Sequence, residues 1–199
     1  RGCHIDAALL DVQVAMLANH ASNHLVGGLT PTRMGNAHAN IVPYQVLATA
    51  DGHIVLAVGN DGQFQRLCRL VGQAELAQDP RFASNSARVA HRDALIALVA
   101  GWMRERTTQQ WCELLEPHAV PCAPILNLPQ VFEHPQVVHR GLKAQLPDAK
   151  GRAVPMVPNP MRLDGRRALA PQAPPALDEH GDAIRAAVRE GKGWPQGGG

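Results

Sequence analysis

Two runs of β-favouring residues, 44–50 and 53–59, flank the dipeptide Asp51-Gly52, and no other feature restricts the chain as much. Asp-Gly accepts the positive φ angles of a tight turn, so the spacing predicts an antiparallel hairpin. The second run, His53-Ile54-Val55-Leu56-Ala57-Val58, has few polar positions and reads as a strand covered on both faces. It delivers Gly59-Asn60-Asp61-Gly62, after which Phe64, Leu67, Cys68 and Val71 recur at helical spacing as far as Gly72. Strand, glycine-bearing turn and helix are expected in that order, with Asp61 as the N-cap.

Around this unit the periodicity predicts helices. Ile5, Leu9, Val12, Met16 and Leu17 predict one helix over 5–25, about five turns long, stopped by Gly27-Gly28. The polar stretch 30–40 has the Gly, Pro and Asn content of an ordered but irregular crossing segment. Further helices are expected over 92–105, with Leu95, Leu98, Val99 and Met103 inward, and over 108–116, carrying Trp111, Leu114 and Leu115. Pro121 and Pro124 bias 120–125 towards extended chain, and short helical turns are expected at 129–133 and 135–140. Beyond 145 prolines crowd a tail with one more helix signal, 178–189, where Asp178, Glu179 and His180 read as N-cap and first turn. That tail is expected to pack along another domain, and the end at 197–199 to be disordered.

Composition removes several classes of function. The 45% hydrophobic content is that of a globular protein, and no apolar run reaches the ~20 residues of a membrane helix. No leader pattern marks the chain for secretion, so a cytoplasmic location is expected. The net charge is only +2 and the 19 Lys and Arg are dispersed, against nucleic acid as a partner. Cys3, Cys68, Cys112 and Cys122 stand far apart without a C-x-x-C, which argues against a zinc knuckle or a redox pair and for free thiols. His20 and His24 share a helix face but lack a third ligand at suitable spacing, so no metal is expected. Arg1 leads directly into the first helical pattern, and the chain is expected to continue something longer.

Four residues, Gly59, Asn60, Asp61 and Gly62, lie between a buried strand and a helix N-terminus, where unpaired N–H groups and the helix dipole favour a negative group such as a thioester oxyanion. A plain strand-to-helix turn capped by Asp61 accounts for the same residues. Arg33 and His38, in the crossing segment, could grip a phosphate or carboxylate, or could pin that segment through hydrogen bonds to carbonyls.

Several segments recur together in order: Ile5-Asp6-Ala7-Ala8-Leu9-Leu10-Asp11, Arg33-Met34-Gly35-Asn36-Ala37-His38, Pro43-Tyr44, Thr49-Ala50-Asp51-Gly52 and Val58-Gly59-Asn60-Asp61-Gly62-Gln63-Phe64. Asp79-Pro80-Arg81-Phe82, Trp111, Val120-Pro121 and His134-Pro135-Gln136 follow. In this order the chain resembles the family III, or CaiB/BaiF-type, CoA-transferases, which include formyl-CoA transferase and 2-methylacyl-CoA racemase relatives. The resemblance implies an α/β fold in which a small α+β domain, a hairpin-based sheet with helices, is flanked by segments of an incomplete Rossmann-like large domain. It places the closing helix of the large domain's first half at 1–28, a crossing linker at 29–39, the small domain at 40–145 and a proline-rich return to the large domain at 146–199. It also implies an interlocked homodimer.

The resemblance further implies an acyl-CoA:carboxylate CoA-transferase, with a coenzyme A thioester as substrate, a carboxylic acid as second substrate and no tightly bound cofactor. In such enzymes an Asp attacks the acyl-CoA to give an anhydride and then an enzyme-bound thioester. No residue here matches it, so the nucleophile is expected upstream and no catalytic residue within the chain. Asp6 and Asp11 belong to the helix that follows the nucleophile. Residues 59–62 correspond to the family's glycine loop, a lid that shields the anhydride from water. Racemase-like members carry an acid near Asp61, which makes racemisation the alternative reading. A non-catalytic dimerising fragment is a third.

Overall fold

The computed structural model describes residues 4, 6–167 and 169–192; the helix start expected at Ile5, the thiol of Cys3 and the glycines at 197–199 lie outside them. The chain divides into two compact units, Arg1–Ile125 and Leu126–Gly199.

The first unit opens with α1 (Leu9–Ala15) and α2 (Ala18–Leu25). One continuous helix was expected. Ala18 instead takes φ 46°, outside the range a right-handed helix can include, and the chain breaks there. Neither helix buries a residue, and Leu9 and Val26 are both 89% exposed. The crossing segment is irregular, as its composition predicts, and is fixed by side chains. Asn23 and Asn40 exchange amide hydrogen bonds of 2.9 and 3.0 Å, and Asn36 Oδ1 accepts the Val46 N–H at 2.8 Å.

The hairpin forms from β1 (Tyr44–Ala48) and β2 (His53–Ala57), with Tyr44 opposite Ala57 and Ala48 opposite His53. Its turn differs from expectation, because neither Asp51 nor Gly52 adopts a positive φ. The Thr49 N–H donates to the Gly52 carbonyl at 2.9 Å and the Gly52 N–H to Thr49 Oγ1 at 3.1 Å, closing a longer loop. Asp51 is thereby free to act elsewhere: its Oδ1 accepts the Thr108 N–H at 2.8 Å. A third strand, β3 (Cys122–Pro124), pairs antiparallel with β2, so that β2 is central in the order β1-β2-β3. One face of β2 is fully covered and the other only in part. Ile54 and Leu56 are buried, and Val55 and Ala57 half-buried, which corrects the two-faced reading.

Over that face pack α3 (Asp61–Leu70), α4 (Asn85–Ala90), α5 (Arg92–Met103) and α6 (Thr108–Leu115), with 3-10 turns at Ala74–Gln78 and Glu116–His118. Phe64, Leu67 and Cys68 of α3, Leu95, Val99 and Met103 of α5, and Trp111 and Leu115 of α6 join Ile54, Leu56 and Val58 in one core. Each large apolar side chain there contributes about 1.5–3 kcal/mol by leaving water. Leu98, expected inward, is 42% exposed. The buried Trp111 keeps a partner, its Nε1–H donating to the Met103 carbonyl at 2.8 Å.

The second unit contains α7 (Leu128–Glu133), α8 (Pro135–His139), a hairpin of β4 (Ala144–Pro147) and β5 (Ala153–Met156), a shorter one of β6 (Arg162–Leu163) and β7 (Arg166–Arg167), and α9 (Gly181–Arg189). The two hairpins were not anticipated. Asp148 organises the turn of the first, accepting the N–H groups of Lys150 and Arg152 and pairing with the Arg152 guanidinium at 2.7 Å. The last helix starts later than expected. Asp178 takes φ 57° and pairs with Arg185, and Glu179 accepts the Ala176 N–H, so neither belongs to the first turn. Among the described residues of this unit only Leu146, Pro158 and Gly181 are buried, and no described helix is long and apolar enough to cross a membrane.

Candidate functional site

At the end of β2 the backbone turns through Gly59 and Asn60 into α3. Asn60, rather than Asp61, is the N-cap: its Oδ1 accepts the Gln63 N–H at 2.9 Å, while Gln63 Oε1 reaches back to the Gly59 N–H at 2.6 Å. These bonds satisfy two donors. The N–H groups of Asp61 and Gly62, in the first turn of a ten-residue helix, have no partner among the described residues.

Asp61 has a different task. Its Oδ1 accepts from Arg88 Nη2 at 2.8 Å, and the two form an ion pair in which the guanidinium is wholly buried and the carboxylate 49% exposed. The same guanidinium donates from Nε to the Val42 carbonyl at 2.7 Å and from Nη1 to the Phe82 carbonyl at 2.9 Å, and it lies 4.6 Å above the Phe64 ring centre. Arg88 thus ties the turn to the start of the sheet and to the Asp79-Pro80-Arg81-Phe82 segment. That segment is itself held by Asp79, whose carboxylate pairs with Arg81 at 2.7 Å. Sequence reasoning missed Arg88. A single arginine in the six-residue helix Asn85–Ala90 gives no local sign that its side chain is the buried one.

The glycines of the turn are not there for backbone conformation. Neither Gly59 nor Gly62 has a positive φ, and a Cβ at either would meet nothing closer than 3.4 Å. Neither glycine puts a side chain beside the Asp61 and Gly62 N–H groups.

Arg33 and His38 separate in role. His38 is engaged structurally: its ring stacks on Tyr44 with centroids 5.1 Å apart, its Nδ1 accepts the Asn40 N–H at 3.1 Å, and its carbonyl accepts from Arg92 Nη2 at 2.9 Å. Arg33 lines a cavity of about 580 Å³, together with Gln45, Arg92 and Asp93. Arg92, which sequence reasoning also passed over, turns Nη2 to the carbonyls of His38 and Ala39, while its Nη1 is buried without a partner among the described residues. Two guanidiniums against one carboxylate make this cavity suited to an anion.

His20 and His24 find no third ligand among the described residues. His24 Nδ1 lies 3.1 Å from the Leu29 carbonyl oxygen. The cysteines behave less simply than their spacing suggested, because Cys112 and Cys122 are brought together with Glu116.

Residues 1–181 match the family model described as CoA-transferase family III. The chain is 43% identical over 179 residues to the succinate–glutarate CoA-transferase of Agrobacterium fabrum, a match covering 90% of this chain and 45% of that protein. It is 36% identical over 181 residues to the human succinyl-CoA:glutarate CoA-transferase, covering 90% and 41%. Among solved structures, a CaiB/BaiF family protein from Brucella suis superposes with a TM-score of 0.73 at 45% identity, covering 94% of this chain and 48% of that one. The chain therefore spans less than half the length of each. Matched over nearly its whole length by one family model, and by relatives that agree with it in both sequence and fold, the chain belongs to CoA-transferase family III.

Proposed function

We propose that the chain is part of an acyl-CoA:carboxylate CoA-transferase in which the 59–62 turn covers the acyl group while it is attached to the enzyme. The observation that carries this is the pair of N–H groups of Asp61 and Gly62, unpaired among the described residues and flanked by glycines whose backbone angles do not require glycine. Such a pair can donate to the oxygen of an acyl anhydride or thioester as negative charge develops on it. The attacking carboxylate lies, on this proposal, outside these 199 residues. Residues 59–62 exclude water and Arg88 keeps their position fixed.

The named activities of the relatives suggest dicarboxylic acids as substrates, succinate and glutarate among them. A cavity bounded by Arg33 and Arg92 has the charge to hold a carboxylate of the acid or a phosphate of coenzyme A. Racemisation through Asp61 is the weaker reading, since a proton-abstracting carboxylate would have to give up the bond from Arg88. The proposal extends to a homodimer, supported by the uncovered apolar residues of α1 and α2.

The test uses the whole protein of which this chain is proposed to be a part. Incubation with succinyl-CoA and glutarate should give glutaryl-CoA and succinate, followed by mass spectrometry. A protein that instead deuterates a 2-methylacyl-CoA at its α-carbon in D2O, without exchanging acyl groups, would overturn the transferase reading.

A further inference from the structure

Cys112 and Cys122 are ten positions apart in sequence, one on α6 and the other on the edge strand β3, and folding places their sulfurs side by side. Glu116 follows Cys112 by one helical turn, so its carboxylate falls over the same spot. The two sulfurs and a Glu116 carboxylate oxygen all lie within 4.8 Å of one another. Both thiols are half-buried and the carboxylate is exposed, so the group is reachable from solvent.

We propose that Cys112, Cys122 and Glu116 form a binding site for a thiophilic divalent cation of the zinc class, with water as the fourth ligand. Zinc takes three protein ligands and a water tetrahedrally, with Zn–S near 2.3 Å, which puts ligand atoms roughly 3.7 Å apart and asks for a contraction of about 1 Å at most. Two sulfurs and one oxygen match a borderline-soft ion and mismatch magnesium or calcium, which prefer oxygen alone.

Burial, followed by the neighbouring Cys112, pushes the Cys122 thiol up to about 12, and burial first of all raises Cys112, so both are neutral thiols before an ion binds. Binding replaces the two thiol protons with the ion, releasing both to solvent, and involves no change of oxidation state. The effect in the fold would be to fasten the end of α6 to β3.

Cobalt(II) is the probe, added anaerobically to the reduced 199-residue chain. One equivalent should produce thiolate-to-cobalt charge-transfer absorption in the near ultraviolet and intense visible bands of four-coordinate cobalt, and zinc should displace it. The double variant Cys112→Ser/Cys122→Ser should lose the charge-transfer absorption entirely. Glu116→Gln should keep it while weakening binding by about tenfold or more, since loss of even an outer partner of a metal ligand costs that much. Cys68→Ala, which removes the buried thiol outside the cluster, should bind as the parent does. Cysteine alkylation mapped by mass spectrometry gives a readout independent of colour, with zinc shielding Cys112 and Cys122 in the parent chain. A parent chain that gives no thiolate band at saturating cobalt, or a band that persists in the double variant, overturns the site.

Discussion

Arg88 donates to Asp61 at 2.8 Å from a guanidinium without solvent exposure, so the turn at the end of β2 is anchored from inside the protein. The asymmetry of the pair has consequences. Removing the guanidinium leaves the carbonyls of Val42 and Phe82 without their donors, and each such loss costs about 1–3 kcal/mol. Arg88→Met is therefore expected to destabilise the chain by roughly 2–5 kcal/mol in urea unfolding. Asp61→Asn keeps an acceptor oxygen facing Arg88 and should cost about 1 kcal/mol. Equal losses in the two variants would show that the bonds from Arg88 to the Val42 and Phe82 carbonyls add nothing to the anchor.

Gly62→Ala separates folding from chemistry. Its Cβ would meet Asn60 Oδ1 at 3.4 Å and Arg66 Nη1 at 3.6 Å, ordinary contacts, and its backbone needs no special angle. Stability should change by no more than about 0.5 kcal/mol. In the whole protein, acyl transfer should nonetheless fall by about tenfold or more if the methyl group intrudes on the acyl oxygen, a drop of the size expected when an oxyanion donor is hindered. Unchanged transfer with unchanged stability would remove the turn from the reaction.

Acid should weaken the segment that carries Phe82. The Asp79 carboxyl is held at about 2, against an ordinary 3.8, first by the side-chain hydrogen bond from Arg81 and then by that residue's backbone N–H. Folding thus favours the ionised form, whose stabilisation is complete above about pH 4 and disappears as pH falls from 3.8 towards about 2. Asp79→Asn should flatten the stability profile in that window and leave it parallel to the parent above it. A parent profile with no slope between those values would contradict the pairing.

The first two helices and their ends leave Leu9, Leu10, Met16, Leu25 and Val26 largely exposed, outside the core that the sheet and α3 to α6 enclose. Apolar area of this kind drives association. Light scattering on the isolated chain should show a mass above 21.4 kDa that rises with concentration. Leu9→Glu combined with Leu10→Glu should lower it. A concentration-independent mass of one chain would count against pairing through this face.

Much of the sheet and helix pattern was legible because it rests on local spacing. The hairpin follows from residues 44–58, α3 from Phe64, Leu67 and Cys68, and α6 from Trp111, Leu114 and Leu115, to which the structure adds a reciprocal capping box of Thr107 and Gln110. Wherever a distant partner decided the outcome, local reading failed. Asp51 gave up the tight turn because Thr108, far along the chain, needed an acceptor. Asn60 displaced Asp61 as cap because Asp61 was claimed by Arg88. The order of motifs disclosed the family, and the local pattern of residues 53–62 placed the turn after β2. Arg92, with its unpartnered Nη1 beside Arg33, and the meeting of Cys112 with Cys122 depend on tertiary packing, which no spacing rule encodes.

Because β2 is the middle strand, bordered by β1 on one side and β3 on the other, its amides are the last in the sheet to be released when the margins fray. Deuterium should therefore enter Leu56 more slowly than the ends of β1 or β3. Residues 59–62 continue directly from this strand, so their backbone is tethered to the part of the sheet that opens last.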